Sequence, residues 1–274
     1  MVFWLVAVAL ARPPEVIVTG EAPPPPPAPK EAPAPTSQRW DAPSIIEDLG
    51  NGVAIDWTRL VLTVEQGAMG YGVGANRRAV EQEARRLVGP GMLMGARAVT
   101  VSEGLMFPQV EEDPVLGEAT RSRVERWAVT EGRYFASGRV ELLGELSLQE
   151  LLKPWALGRA LPLPAEPPGE GEPTGLVIDA RGTGAKPAYS PRVLAPDGKV
   201  WFDPAMWEDF AIKNAPVVYV PGPDHPAVAR AGASPITLKA TEAKGSDLVV
   251  PALDRDLGSV YALRTGTIVV VIDP

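Results

Sequence analysis

Three charged side chains stand where an apolar segment gives way to a glycine-rich loop. Asp179 directly follows Leu176-Val177-Ile178, and Arg181 and Lys186 lie in the loop R-G-T-G-A-K. Loops that follow strands often carry binding residues, because a rigid sheet holds them in place. Two interpretations stay open. In the first, Asp179 pairs with Arg181 or Lys186 and fixes the loop; in the second, Arg181 and Lys186 bind an anionic ligand.

Two kinds of enzyme use a strand that ends in such a loop, and the sequence fits neither. A zinc-dependent peptidoglycan amidase needs His and Glu ligands from separate segments, whereas this chain has one histidine, His225, placed between prolines. A phosphate-binding P-loop needs Ser or Thr after its lysine, and Lys186 is followed by Pro187. The glycines within 67–74 also miss the spacing of a dinucleotide-binding loop. We therefore expect no catalytic, cofactor-binding or metal-binding residue, and a protein that is not an enzyme.

Composition excludes several classes of partner and chemistry. The 274 residues carry a net charge of −8 and no cysteine. Nucleic acid binding needs clustered positive charge, so a nucleic acid partner is not expected. Without cysteine there are no disulfides, no thiol catalysis and no lipid anchor on an N-terminal cysteine. A mean hydropathy near zero argues against a membrane protein with several spans, and no transmembrane span is expected.

The N-terminal segment predicts export. Residues 1–11 are an unbroken apolar run that ends in Ala9-Leu10-Ala11. The run is too short to cross a bilayer, but it suits the apolar core and cleavage site of a signal peptide, although the usual positive charge before it is missing. A buried N-terminal strand is the alternative. Residues 12–40 include a proline-rich stretch that favours polyproline II and predicts a linker. We expect a periplasmic protein, or one associated with the outer membrane without a lipid anchor.

An α+β domain is predicted over residues 41–153. Its helix begins after Asn76 as N-cap and is expected to stop at Gly89-Pro90; its predicted apolar stripe consists of Val80, Ala84, Leu87 and Val88. A short helix is expected within 40–49. The β-rich run 53–66 changes its alternation near Thr58-Arg59, which indicates a bulge or twist.

A hairpin is predicted further along, with arms at 129–135 and 139–148 around Ala136-Ser137-Gly138. In the second arm the apolar side chains share one face, and the other face is polar or charged except for Leu143. An unpaired strand edge invites pairing with another chain. We take the arm 139–148 as the candidate assembly edge, with Leu143 as its apolar contact.

Residues 154–173 are rich in Pro, Gly and Glu and predict a linker, so that residues 174–274 form a second domain. A hairpin turn is expected at Asp197-Gly198. The last apolar run, 267–272, is apolar on both faces, which indicates a central strand. Further strands are predicted at 176–178, 192–194, 200–202, 217–220, 236–240 and 248–250, and helices after Asp203 and over 254–263. We expect a small α/β or α+β domain.

The first domain resembles a known family. It has a strand before a G-x-G segment, an Ala- and Arg-rich helix that ends in R-R-L-V-G, then V-T-V-S-E-G, a charged helix, and the hairpin sequence Y-F-A-S-G-R-V-E-L-L-G-E-L-S-L. This pattern resembles the FlgP-like proteins of flagellar outer-membrane disks over about residues 53–148. The resemblance implies a β-α-β-β unit related to dodecin, assembly into rings, and no catalytic residue. The motif L-V-I-D-A-R-G-x-G-x-K-P resembles an envelope-protein module of unknown activity.

These observations predict a non-catalytic structural protein of the bacterial cell envelope that self-associates into a ring or another homo-oligomer, related to a flagellum or to motility. The alternative is a periplasmic binding module for a glycan or an envelope protein partner. The two predictions differ in one observable property. An assembling protein purifies as a large particle, whereas a binding module stays monomeric.

Overall fold

The computed structural model describes residues 41–70, 76–158, 173–203, 217–252 and 268–274. The predicted signal peptide, the proline-rich linker and the helices expected after Asp203 and over 254–263 lie outside these residues. In the first half the elements are β1 (Ile46–Gly50), β2 (Val53–Asp56), β3 (Val61–Met69), α1 (Arg77–Ala98), β4 (Thr100–Ser102), β5 (Leu105–Met106), α2 (Phe107–Glu111), α3 (Gly117–Arg121), a 3₁₀ helix (Ser122–Arg126), β6 (Ala128–Tyr134), β7 (Arg139–Ser147) and α4 (Leu148–Leu157).

A five-stranded antiparallel sheet in the order β1-β2-β3-β7-β6 is the frame of this half. Helix α1 packs across β3 and β7 on one face. The apolar alternation of β7 places Val140, Leu142 and Leu146 in the core, and the predicted hairpin with β6 is confirmed. Two predictions are wrong. The helix expected within 40–49 is instead the edge strand β1, and the run 53–66 is two strands that reverse at 57–60.

Helix α1 begins as predicted, because the Asn76 side chain accepts a hydrogen bond from the Arg78 amide at 3.0 Å. The predicted stop at Gly89-Pro90 is wrong, and the helix continues to Ala98. The residues that follow the proline face the sheet closely. A methyl group at Gly91 would lie 2.6 Å from Val64 Cγ1, and one at Gly95 would lie 2.8 Å from Val53 Cγ1. Packing against the sheet therefore stabilises a turn that local propensity disfavours.

The second half contains two further sheets. A parallel sheet has the order β11-β15-β8-β12, and a mixed sheet has the order β10-β9-β14-β13. The strand β15 is central and buried, as predicted. The elements are β8 (Leu176–Asp179), β9 (Val193–Leu194), β10 (Val200–Phe202), β11 (Val217–Val220), a 3₁₀ helix (Pro226–Ala231), β12 (Ile236–Lys239), β13 (Glu242–Lys244), β14 (Asp247–Val249) and β15 (Ile268–Val271). The predicted α+β class is confirmed.

The two halves contact each other through buried groups. Thr58 Oγ1 donates to the Tyr219 carbonyl at 2.5 Å, and the rings of Trp57 and Tyr219 meet edge to face with centroids 6.1 Å apart. The Tyr189 amide donates to the Thr100 carbonyl at 3.0 Å. The start of the predicted linker is also corrected, because residues 154–157 belong to α4, whose buried side chains include Trp155. The division into two domains stays a prediction.

Candidate functional site

The carboxyl ends of the parallel strands bring several charged residues to one edge of the second half. Asp179 ends β8, Lys239 ends β12 opposite it in the strand register, and Asp273 follows β15. Open sheets with parallel strands bind ligands at this edge, where the loops leave the strands. This edge is therefore the candidate site that contains the residues predicted from the sequence.

Asp179 and Arg181 form the ion pair that the sequence suggested. Arg181 Nε lies 2.8 Å from Asp179 Oδ1, and Arg181 Nη2 lies 2.6 Å from Oδ2. The Arg181 backbone amide also donates to Oδ1 at 3.2 Å. These hydrogen bonds stabilise the carboxylate, so they lower the pKa of Asp179 below its ordinary value, and the same pair raises the pKa of Arg181. Asp179 is therefore charged at neutral pH and does not suit the role of a general acid.

The loop after β8 is fixed at further points. The Gly182 amide donates to Asp273 Oδ2 at 2.7 Å, and Thr183 Oγ1 donates to the Ala180 carbonyl at 2.6 Å. Gly182 and Gly184 both have φ above 70°, in the left-handed region that favours glycine. The loop conformation is thus set by its glycines and by two carboxylates from different strands.

Lys186 lies apart from this pair. Its backbone amide donates to the Gly245 carbonyl at 3.0 Å, and its side chain is exposed. Within the described residues Lys186 has no ion pair with Asp179. The structure therefore brings together Asp179 and Arg181, while the role of Arg181 and Lys186 in binding an anion stays a prediction.

Sequence reasoning missed Asp273 and Lys239. Asp273 follows Val271-Ile272, and Asp179 follows Val177-Ile178, so the two strands end in similar sequences. That similarity was the available signal, because two parallel strands of one sheet place their last residues at one edge. Lys239 ends a strand whose alternation of apolar and polar residues gives no sign of a binding site. Only the strand register shows that it lies opposite Asp179.

His225 has a structural role. Its Nδ1 accepts a hydrogen bond from the Ala227 amide at 3.1 Å and caps the 3₁₀ helix Pro226–Ala231. Burial lowers the pKa of the imidazole, so the neutral form is favoured. In the part of the chain that the structure describes, no group of three or more His, Cys, Asp or Glu side chains is arranged to hold a metal ion.

The candidate assembly residue Leu143 lies on a different surface. The strand β7 pairs with β3 on one side and with β6 on the other, so the predicted edge is wrong and β7 is an interior strand. Leu143 is half-buried on the sheet face opposite α1, in line with Glu65 and Glu131 on the neighbouring strands. We call this surface the open face.

The open face carries a network of ion pairs around Leu143. Arg133 contacts Glu131 at 2.8 Å and Glu65 at 3.2 Å, and Arg139 contacts Glu141 at 2.6 Å. At the far end Arg59 contacts Glu145 at 3.1 Å. The exposed pairs of Arg133 contribute little to stability, whereas Arg59 and Glu145 are both largely buried. The network leaves Leu143 as a single large apolar side chain among charges.

A known protein domain matches part of the chain. Residues 175–274 are similar to the second domain of Treponema pallidum Tp0624. The match includes the parallel sheet, Asp179, Arg181 and Lys186, and it excludes residues 53–148, on which the FlgP-like resemblance rests. No curated protein matches the chain. Among the described helices, none combines the length and the apolar character needed to cross a membrane.

Proposed function

We propose that this chain is a non-catalytic structural protein of the bacterial cell envelope that assembles from identical copies. The observation that carries the proposal is the open face of the five-stranded sheet, where Leu143 is surrounded by Glu65, Glu131, Arg133 and Glu141. Helix α1 covers the opposite face. An apolar centre within a charged rim is the arrangement that interfaces between proteins use. The FlgP-like resemblance supports assembly into a ring.

The ion pairs of the open face can orient a second copy at such an interface. Arg133 is half exposed and shared between Glu65 and Glu131, so its guanidinium keeps N–H groups for acceptors on another copy. If the second copy contributes a different surface, the contact is heterologous. Repeating a heterologous contact with one rotation closes a ring.

Export completes the proposal. The apolar run 1–11 and its A-L-A end support cleavage after Ala11, followed by a proline-rich spacer before the folded part. Mass spectrometry of protein recovered from the periplasm should find an N-terminus near Arg12. Soluble cytoplasmic protein that keeps residues 1–11 would contradict export, and it would leave the assembly test below unaffected.

Light scattering on the purified protein tests assembly. We expect a particle of many subunits at micromolar concentration. Leu143→Asp places a fourth acid beside Glu65, Glu131 and Glu141. It should weaken assembly, seen as a lower particle mass, more than it weakens folding, seen as the free energy of unfolding. Leu143→Arg removes the same apolar contact but adds a cation among those acids, so it should keep the fold and still weaken assembly.

The matched control is Leu87→Asp. The prediction that Leu87 belongs to the buried stripe of α1 is wrong, because 39% of its surface is accessible. Its replacement should leave the particle mass unchanged. A monomeric wild-type mass that does not rise with concentration would contradict assembly. Equal effects of Leu87→Asp and Leu143→Asp would show that the open face is not the contact.

A binding module is the second candidate. Its support is the exposed position of Arg181 and Lys186 at the carboxyl edge of the parallel sheet, where ligands of open α/β sheets bind. The partner would be a glycan or an envelope protein that presents anionic groups. A monomeric protein that loses binding to anionic envelope glycan on Lys186→Glu would favour this candidate over assembly.

A further inference from the structure

The outer edge of the sheet at β6 offers free backbone groups. Within the described residues β6 pairs with β7 alone. The Phe135 amide donates to the Arg139 carbonyl at 3.0 Å. Because bonded and non-bonded pairs alternate along an antiparallel ladder, the N–H and C=O groups of Tyr134 and Gly132 point away from β7. An extended chain laid along this edge would find donors and acceptors spaced as in a strand.

A bulge limits how much of this edge is regular. The register of β6 against β7 shifts between Val129 and Glu131. Bulges twist an edge strand and interrupt pairing, which is one way that proteins prevent sheets from joining along their full length. The regular stretch is therefore short, from Gly132 to Phe135, and it excludes long sheet-to-sheet pairing.

The regular stretch runs directly into a cleft. The cleft has a volume of about 350 Å³ and lies between the start of α1 and the tip of the β6–β7 hairpin. This size is at the lower end of the range for ligand pockets. Its floor is apolar, with buried Val80 and Val140, and its wall includes the rings of Tyr134 and Phe135, which are 43% and 45% exposed.

Two arginines give the cleft its charge. Arg77 stacks its guanidinium over the Tyr134 ring, with Cζ 3.8 Å from the ring centroid, and Tyr134 donates its hydroxyl hydrogen to Glu81 at 3.1 Å. A stacked guanidinium keeps its N–H edge for a carboxylate. Within the described residues Arg77 has no ion pair. Arg139, the other cation of the lining, is paired with Glu141.

We propose that the β6 edge from Gly132 to Phe135, together with this cleft, binds an extended acidic peptide segment. The peptide adds a few residues of strand beside β6, as peptides do at other exposed sheet edges. An apolar or aromatic side chain of the peptide enters the cleft against Tyr134 and Phe135, and a carboxylate of the peptide pairs with Arg77. Tyrosine and arginine are the side chains that most often dominate such contacts.

Fluorescence anisotropy on the full chain tests this site. The probe is a fluorescein-labelled octapeptide of alternating valine and glutamate, compared with a valine–lysine octapeptide and with the acidic peptide carrying proline in place of its central valine. We expect the acidic peptide to bind at least about tenfold more tightly than the other two. The lysine peptide would oppose Arg77 with a like charge, and proline removes a strand donor.

Variants locate the contact. Arg77→Glu should weaken binding of the acidic peptide at least about tenfold, and it keeps the fold because an acid suits the first turn of a helix. Arg78→Glu makes the same charge change in the same turn, outside the cleft, and should change binding less than about twofold. Phe135→Ala should also weaken binding.

Four results would overturn the proposal. The first is absence of binding by the acidic peptide at several hundred micromolar. The second is equal weakening by Arg77→Glu and Arg78→Glu, which would reduce the effect to net charge. The third is equal binding of the proline peptide. The fourth is binding of a carboxylated oligosaccharide such as oligogalacturonate in place of the peptide. The site shares Arg133 with the open face, so the test relies on Arg77 and Phe135, which do not line the open face.

Discussion

At the residue scale, the carboxyl edge of the parallel sheet combines a contact between near neighbours in the sequence with a contact between distant residues. Asp179 and Arg181 are two positions apart, and their pairing follows from a tight loop after a strand. Asp273 reaches the same loop from the end of the chain, through the Gly182 amide. The first contact could be predicted from the sequence, because neighbours in a glycine loop meet under most folds. The second requires that β15 and β8 are adjacent, which the sequence does not state.

Removal of the Asp179 carboxylate should therefore have a small, pH-dependent effect. Asp179→Asn leaves Arg181 without its acid, and the free energy of unfolding at neutral pH should fall by about 1 kcal/mol or less, since solvent screens a partly exposed pair. The pKa of Asp179 is lowered in the folded protein from its ordinary 3.8. Its stabilising contribution is then complete above the ordinary pKa and is lost as pH falls through the lowered pKa.

Urea unfolding of wild type and Asp179→Asn at a series of pH values measures this effect. The difference between the two proteins should be constant near neutral pH and should shrink as the pH drops below about 4. A difference that grows in acid would mean that Asp179 is destabilising in its charged form. Lys186→Gln is the control, and it should show no such pH dependence.

At the scale of elements, strands with a clear apolar pattern were predicted correctly. The chain reversal near Thr58-Arg59 and the end of α1 were not. The strands β8, β11 and β15 and the hairpin of β6 and β7 follow from alternation or from unbroken apolar runs. The change of alternation near Thr58-Arg59 marks a chain reversal instead of a bulge. Asp56 Oδ1 accepts hydrogen bonds from the amides of Thr58 and Arg59, which is a local turn signal that was available in the sequence.

The end of α1 shows how packing overrides local propensity. A glycine before a proline is typical of the end of a helix. Here the following turn is held by close contact of Gly91 and Gly95 with the sheet, where Gly144 of β7 also leaves room for Val88 and Met92. These contacts join segments far apart in the sequence, so a pattern read along the chain does not include them.

Two glycine substitutions on α1 should differ in size of effect. Gly95→Ala places a methyl group against Leu62 and Val53, and it should lower the free energy of unfolding by about 1–3 kcal/mol. A methyl group at Gly89 meets no atom within 4 Å apart from its chain neighbours. Alanine favours helix, but Pro90 crowds the Cβ of a helical residue before it, so Gly89→Ala should change the free energy of unfolding by less than about 1 kcal/mol. Thermal and urea unfolding measure both, and equal losses in the two variants would contradict the close contact of Gly95 with the sheet.

At the scale of the whole molecule, the described parts of the two halves share buried contacts. Trp57 and Tyr219 are each about 1% exposed or less, and their rings contact each other across the boundary between the halves. Thr58 connects three segments, since its Oγ1 accepts from the Ile45 amide at 2.9 Å and donates to the Tyr219 carbonyl. A second aromatic pair, Trp155 with Tyr189, has centroids 6.4 Å apart. Apolar residues of both halves form one hydrophobic cluster.

Cleavage between residues 158 and 173 should therefore leave the halves associated. Limited proteolysis within the proline-rich segment should give two fragments that elute together in native size-exclusion chromatography, because separation would expose Trp57 and Tyr219 to water. Thr58→Val should promote separation, since it leaves the Ile45 amide and the Tyr219 carbonyl without their hydroxyl partner, at a cost of about 1–3 kcal/mol.

Thr63→Val is the matched control. Its Oγ1 bonds the Ala54 carbonyl at 3.2 Å within the first half, and its loss should not separate the fragments. A C-terminal fragment of wild type that elutes alone with its circular dichroism unchanged would show that residues 174–274 fold independently and that the contact between the halves is weak.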